Sequence, residues 1–124
     1  MEIVIGTTGS ADLIVGEEDT AIALGSGDVP VLGTPRIIAL LEEAAVAALD
    51  GDLAEGITSV GTHVAVDHEA ASFVGAAVTA VAEVVAVDGR TVEFRLVARE
   101  GSRTVATGNH TRVLVDRERF LGSR

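Results

Sequence analysis

The stretch VPVLGTPRIIALLEEAAVAALDG, from Val29 to Gly51, contains a complete helix with its own start and stop signals. Thr34 is predicted to be the N-cap, because its hydroxyl can accept a backbone N–H that has no partner in the first turn. Pro35 suits the first helical position, since proline lacks the N–H that would be unpaired there. Asp50 and Gly51 are predicted to end the helix, because glycine adopts the left-handed conformation that closes one. The stretch therefore predicts one long helix.

One face of this helix is apolar, and a carboxylate lies at the edge of that face. The apolar positions recur with a period of about 3.6 residues and comprise Ile37, Ile38, Leu40, Leu41, Ala44, Ala45, Ala48 and Leu49. Glu43 projects to the opposite side with Arg36, where water solvates both charges. Glu42 lies at the edge of the apolar face, and a carboxylate partly removed from water binds a proton more strongly. Glu42 is therefore a candidate general base.

Extended segments surround the helix. Three short edge strands are predicted before it, at Glu2–Ile5, Asp12–Val15 and Thr20–Leu24. After it the pattern changes to the two-residue period of strands, and four are predicted: Ser59–His68, Val74–Val87, Thr91–Arg99 and Thr104–Val115. The pair Asp88-Gly89 predicts a hairpin between the second and third of these. One helix covered by one curved antiparallel sheet makes an α+β fold.

The composition excludes several classes of function. At 124 residues the chain is predicted to form a single domain, 1–124. A net charge of −10 argues against a nucleic-acid partner, because phosphate binding needs a basic surface. Eight of the nine arginines lie in the last third, which leaves open a local phosphate-binding patch beside the simpler interpretation of solvated strands. The lack of cysteine and lysine excludes thiolate and Schiff-base catalysis.

Membrane and secretory segments are also not predicted. No segment approaches the roughly 20 apolar residues that a bilayer span requires. Residues Met1 to Ile5 are too short and carry Glu2, which does not fit a signal peptide. We therefore expect a soluble, cytoplasmic protein with no membrane partner.

His68 is the second candidate for chemistry. It ends the strand Ser59–His68, where strict alternation places it on one face with Val64, and Gly61 and His63 on the other. If that face is covered by the helix, His68 approaches Glu42; the alternative is a histidine that only satisfies its own hydrogen bonds. His63 has the opposite parity and His110 lies far along the chain, so no metal site is predicted.

Thr34 is the third candidate. It precedes Glu42 by eight residues, so the two lie two turns apart with about 12 Å of helix rise between them. The role of helix cap alone, worth about 1 kcal/mol, would also account for this threonine. A hydroxyl at a helix start can both cap the helix and take part in the site.

Three segments of the chain together resemble one known family. The runs GTPRIIALLEEAA, GTHVAVDHEA and GNHTRVLVD are similar to hotdog-fold thioesterases of the fluoroacetyl-CoA type, over about Val29 to Arg119. In that family a Thr, a Glu eight residues later and a His twenty-six residues after the Glu are the catalytic set, which matches Thr34, Glu42 and His68. The family's substrate-binding glycine and arginine match Gly61 and Arg112.

The resemblance implies a hotdog fold, a homodimer with active sites between the subunits, and hydrolysis of a small acyl thioester. It implies no cofactor other than coenzyme A, which is part of the substrate. The chain departs from the family before the helix, where Gly27 to Leu32 contain no aromatic residue in place of the family's aromatic lid. The resemblance therefore does not extend to a preference for fluoroacetyl groups.

Two other functions stay open on the sequence alone. A non-catalytic hotdog protein would bind a CoA or acyl ligand without hydrolysing it, with Glu42 merely paired to a neighbour. A hydratase or dehydratase on the same fold is less well matched, because the usual Asp and His pair on the helix is missing here.

Overall fold

The computed structural model describes residues 2–122. The strands are β1 (Thr8–Ile14), β2 (Ile57–His68), β3 (Ala77–Asp88), β4 (Thr91–Glu100) and β5 (Arg103–Asp116). The helices are α1 (Ala21–Leu24), α2 (Thr34–Leu49) and α3 (Arg117–Gly122), with a 3-10 turn over Glu17–Asp19. The four strands predicted after the long helix are confirmed. None of the helices in these residues is long and apolar enough to cross a membrane.

The five strands form one antiparallel sheet in the order β1-β3-β4-β5-β2. The hairpin from β3 to β4 turns at Gly89, which has a φ of 60°, and confirms the predicted turn. Strand β2 does not pair with its sequence neighbour β3 but with β5, at the end of the sheet. Within residues 2–122 no strand pairs with the other edge of β2.

Helix α2 packs across one face of the sheet, mainly against β1 and β3. Its apolar stripe is buried as predicted, apart from Ile38, which is half-buried. At Gly9 strand β1 passes so close to α2 that a Cβ there would overlap the backbone of Ala44 and Ala48. Because α2 makes far less contact with β2 than with β1, the helix leaves a gap above β5 and β2. The candidate site lies along this gap.

The predicted N-cap of α2 is wrong, although the predicted end is confirmed. Gly33 is the N-cap and makes no side-chain bond, and Thr34 is already the first helical residue. The hydroxyl of Thr34 is instead 2.9 Å from His68. The helix ends at Leu49, and Gly51 has the left-handed φ of 83° that the sequence predicted.

The short strands predicted before the helix are mostly wrong. Residues 2–5 form no strand, and the segment Asp12–Val15 overlaps only the end of the longer β1, which stops at Ile14. The segment Thr20–Leu24 contains helix α1 because both ends of a single turn are capped. Thr20 Oγ1 accepts the N–H of Ala23 at 3.2 Å, and Gly25 closes the turn with a φ of 72°.

The alternation predicted for Ser59–His68 is interrupted by a β-bulge. The register with β5 shifts between Gly61, which pairs with Arg112, and His63, which pairs with Thr111. An extra residue in one strand reverses the parity of everything after it. Gly61 and His68 therefore share the inner face of β2, whereas the sequence placed them on opposite faces.

Candidate functional site

Thr34 and His68 form a direct pair at one end of the gap between α2 and β2. Thr34 Oγ1 lies 2.9 Å from His68 Nδ1, so a hydrogen bond joins the first turn of the helix to the end of the strand. Thr34 is exposed, and its hydroxyl does not cap the helix, because Gly33 is the N-cap. The sequence predicted both residues as site residues, and the structure brings them together.

The surroundings of His68 favour the neutral form of its ring. Burial lowers its pKa below the ordinary value, and the nearby backbone of Ala70 offsets part of this. Ala70 approaches the ring, yet no hydrogen bond of normal geometry reaches Nε2, which is buried. A neutral imidazole keeps one nitrogen free to accept a proton.

Glu42 lies farther along α2, beside Arg112 and Gly61. Its Oε2 is 3.6 Å from Arg112 Nη1, and its side chain is 39% exposed, against 10% for Arg112. A Cβ at Gly61 would lie only 2.9 Å from Glu42 Oε2 and 3.3 Å from Arg112 Nη1. Glycine at this position therefore leaves room for the carboxylate above the strand.

Arg112 is a buried charge with a fixed orientation. Its Nε donates to Ser59 Oγ at 2.8 Å, and Nη2 donates to the Ser59 carbonyl at 3.1 Å. Burial lowers the pKa of Arg112 and the carboxylate of Glu42 raises it, but arginine remains protonated at neutral pH. The guanidinium thus presents a positive charge to Glu42 from below.

His110 also belongs to this cluster and was missed at the sequence level. It is buried, its Nε2 lies 3.8 Å from Glu42 Oε2, and Arg112 Nη1 approaches the same nitrogen at 3.2 Å. Its distance along the chain from Glu42 concealed this proximity. The available signal was its spacing of two residues from Arg112, which places both side chains on one face of β5.

The structure brings the predicted residues together in two groups, not in one. Thr34 and His68 line an open recess of about 350 Å³ with Gly27, Asp28 and Ala70 among its walls. Glu42 and Arg112 line a separate open recess of about 730 Å³. Within the described residues no hydrogen bond or ion pair joins Glu42 to His68, and the two recesses share no lining residue. Both nevertheless lie along α2, two turns apart.

Glu43 differs from Glu42 as predicted. Its side chain is 58% exposed and pairs with Arg36 at 3.4 Å, although Glu43 also lines the recess of Glu42. A further recess, at the far end of the molecule between Leu53 and Arg90, contains none of the predicted site residues. Within residues 2–122 no three acidic or histidine side chains are grouped as a metal site would require.

Comparison with known proteins gives one consistent result. The family model of fluoroacetyl-CoA-specific thioesterases matches residues 15–118, which begins earlier than the resemblance seen in the sequence. The fluoroacetyl-CoA thioesterase of Streptantibioticus cattleyicolor is 36% identical over 90 residues, which are 73% of this chain. The matched part spans 65% of that relative's length.

Two solved structures show that the similarity extends to the fold. A Thr-to-Ser variant of the fluoroacetyl-CoA thioesterase FlK in complex with acetyl-CoA superposes with a TM-score of 0.89 and 29% identity, covering 96% of this chain and 94% of its own. A hot-dog-like protein from Thermanaerovibrio acidaminovorans gives a TM-score of 0.86 and 28% identity, covering 95% of this chain and 87% of its own. The predicted hotdog fold is confirmed.

Proposed function

Because the chain belongs to the fluoroacetyl-CoA-specific thioesterase family, we propose that it hydrolyses a small acyl-CoA to the free acid and coenzyme A. The observation that carries this proposal is the 2.9 Å contact between Thr34 and His68, two helical turns from Glu42 on the same helix. The choice of an acyl-CoA is supported by the relative that binds acetyl-CoA. The reaction needs only water and the thioester, so no cofactor or metal is included in the proposal.

Glu42 is the group that starts the reaction. As a general base it takes a proton from water while the water oxygen bonds to the thioester carbonyl carbon. As a nucleophile it bonds to that carbon itself, and water then hydrolyses the resulting anhydride. In both routes the carbon–sulfur bond breaks, the sulfur takes a proton, and the acid is released. Single turnover in ¹⁸O-labelled water detects the second route when water attacks the Glu42 carbonyl of the anhydride, since the acid then leaves with an unlabelled Glu42 oxygen and Glu42 gains ¹⁸O.

The remaining residues orient the substrate, transfer the proton and stabilise the oxyanion. His68 is the proton shuttle, and Thr34 holds its ring at Nδ1 or donates to the substrate carbonyl. The backbone N–H of Gly61 is the candidate donor to the oxyanion, whose stabilisation is often the largest contribution in acyl transfer. Arg112 binds a polar part of the substrate next to Glu42. These roles are supported by family residues at matching positions and by the two clusters described above.

A second copy of the chain is proposed to complete the site. Strand β2 is twelve residues long and leaves one edge unpaired among the described strands, which favours pairing with another strand. Val64 on β2 is 36% exposed, and Val46 beside the Glu42 recess is 50% exposed. A homodimer built on β2 would cover this apolar surface. Sedimentation equilibrium is expected to give twice the chain's mass, and a monomer would contradict the proposal.

The acyl group is proposed to be small and not selected for fluorine. The lining of the recess over Thr34 and His68 includes Gly27, Asp28 and Val29, and it contains no Phe, Tyr or Trp. A cytoplasmic location, where acyl-CoA is available, likewise remains a prediction from the sequence.

Thiol release from a panel of short acyl-CoA substrates tests the proposed function. We expect turnover of at least one straight-chain member, such as acetyl-CoA or propionyl-CoA. Binding without turnover across the panel would favour the non-catalytic acyl-CoA binder instead. Hydration of enoyl-CoA in the absence of thiol release would favour the hydratase.

Replacing Gly61 with alanine is expected to lower kcat while leaving the protein folded. The new Cβ would lie 2.9 Å from the Glu42 carboxylate, 3.1 Å from the buried His110 ring and 3.3 Å from Arg112 Nη1. Of these, the half-exposed Glu42 carboxylate is the group that can move away. Displacing a reacting group by about 1 Å can cost about 10²-fold in rate. Steady-state kinetics with a melting curve would check this, and an unchanged kcat would place Gly61 outside the site.

A further inference from the structure

His110 is buried and has a hydrogen-bond partner at each ring nitrogen. Nδ1 lies 2.7 Å from the carbonyl oxygen of His63, and Nε2 lies 3.2 Å from Nη1 of Arg112. A carbonyl only accepts and a guanidinium only donates. In the neutral ring Nδ1 therefore carries the proton, and Nε2 is the acceptor.

Other contacts around His110 favour this neutral tautomer. Its ring stacks on Phe94 with 5.9 Å between the centroids, so one face of the imidazole is apolar. Burial lowers the pKa of His110 and the charge of Arg112 lowers it further, against opposing contributions from the His63 carbonyl and Glu42. His63 itself is exposed on the other face of β2. A neutral ring also avoids placing a second positive charge beside Arg112.

The bulge in β2 supplies the anchor for this arrangement. The carbonyl that accepts from His110 belongs to His63, the first residue after the register shift. Ser59, before the bulge, holds the opposite edge of the guanidinium through Nε and Nη2. Arg112 is therefore fixed on both sides, and Nη1 is left facing Glu42 Oε2 at 3.6 Å.

From this geometry we infer that His110 is a positioning residue, which fixes Arg112 beneath Glu42 by accepting a hydrogen bond from Nη1. The contact of 3.8 Å between His110 Nε2 and Glu42 is then a consequence of this placement and not an acid–base pair. The effect of His110 on kcat rests on the proposed function. The tautomer of its ring does not, because it is a property of the folded protein without substrate.

Two amide variants separate the contacts of His110. In His110→Gln the amide reaches roughly to the position of Nε2, so its oxygen can still accept from Arg112. In His110→Asn the shorter amide reaches only to the position of Nδ1, so the bond to Arg112 is lost. We expect His110→Gln to keep most of the wild-type kcat and His110→Asn to lose about 10²-fold, with a smaller change in KM. Equal kcat values for the two variants would overturn the inference.

An NMR spectrum of the wild-type protein tests the same inference and does not depend on whether a variant folds. Long-range ¹H–¹⁵N correlation at neutral pH is expected to show His110 protonated at Nδ1 and unprotonated at Nε2. A ring protonated at Nε2, or at both nitrogens, would overturn the inference even in an active enzyme. An inactive protein with the expected tautomer would instead contradict the proposed function and leave the placement of Arg112 standing.

Discussion

Replacing Glu42 with glutamine is expected to lower kcat for acyl-CoA hydrolysis by about 10²- to 10⁴-fold, the usual contribution of a positioned general base. Glutamine keeps the length of the side chain but neither accepts a proton nor attacks a carbonyl. Arg112 keeps its bonds to Ser59 and His110, and the lost contact with a 39% exposed carboxylate is worth about 1 kcal/mol or less. Steady-state kinetics and a melting curve measure both effects.

Glu43→Gln is the matched control for this variant. Glu43 is the next residue of the same helix, carries the same charge and lines the same recess, but its 58% exposed carboxylate pairs with Arg36 and makes no contact with Arg112 or His110 among the ion pairs of the described residues. Its replacement is expected to leave kcat close to that of the wild type. If the two variants lost activity equally, or if Glu42→Gln retained full activity, Glu42 would have no role in the chemistry.

Thr34 and His68 are expected to behave as one unit. Thr34→Val removes the hydroxyl and keeps the shape, and His68→Ala removes the whole ring, including the Nδ1 atom that contacts Thr34. Each is expected to lower kcat by about 10²-fold or more, because either change breaks the 2.9 Å contact. The double variant is expected to be no slower than the slower single variant, since groups that act together give non-additive losses. Rates for the four proteins form the required double-mutant cycle.

Thr79→Val serves as the threonine control for this cycle. Thr79 donates to Asp12 at 2.6 Å in the pair of β1 and β3, away from both recesses. Its loss removes a surface hydrogen bond and is expected to leave kcat unchanged. Multiplicative losses in the Thr34 and His68 cycle would show that the two residues act independently, contrary to the proposed roles.

Much of the fold could be predicted because local signals agreed with the tertiary structure. The apolar stripe of α2 and the turn at Gly89 are encoded within a few residues of where they act. The segment Thr20–Leu24 was wrongly predicted as a strand, because four apolar residues are too few to show whether their period is that of a strand or a helix. The caps at Thr20 and Gly25 stabilise a helical turn there. The pairing of β2 with β5 was likewise invisible in the order of the strands.

The candidate site was predicted in its residues but not in its arrangement. Thr34 was expected to cap α2, yet Gly33 does so without a side chain, and the hydroxyl is left for His68. The bulge after Gly61 could not be foreseen, because strict alternation is the default for a strand. That one extra residue turns Gly61 toward Glu42 and keeps His68 on the same face. His110 was missed for a different reason, its distance along the chain from Glu42.

The central claim is that Thr34, His68, Glu42 and Arg112 act on a single thioester although they line two recesses. The most direct measurement is a crystal structure of the Glu42→Gln protein, which is expected to turn over its substrate only slowly, with acetyl-CoA bound. The proposal predicts a thioester carbonyl carbon within reach of the Thr34 and His68 pair on one side and of residue 42 on the other. A thioester that contacts only one of the two groups, or neither, would contradict it.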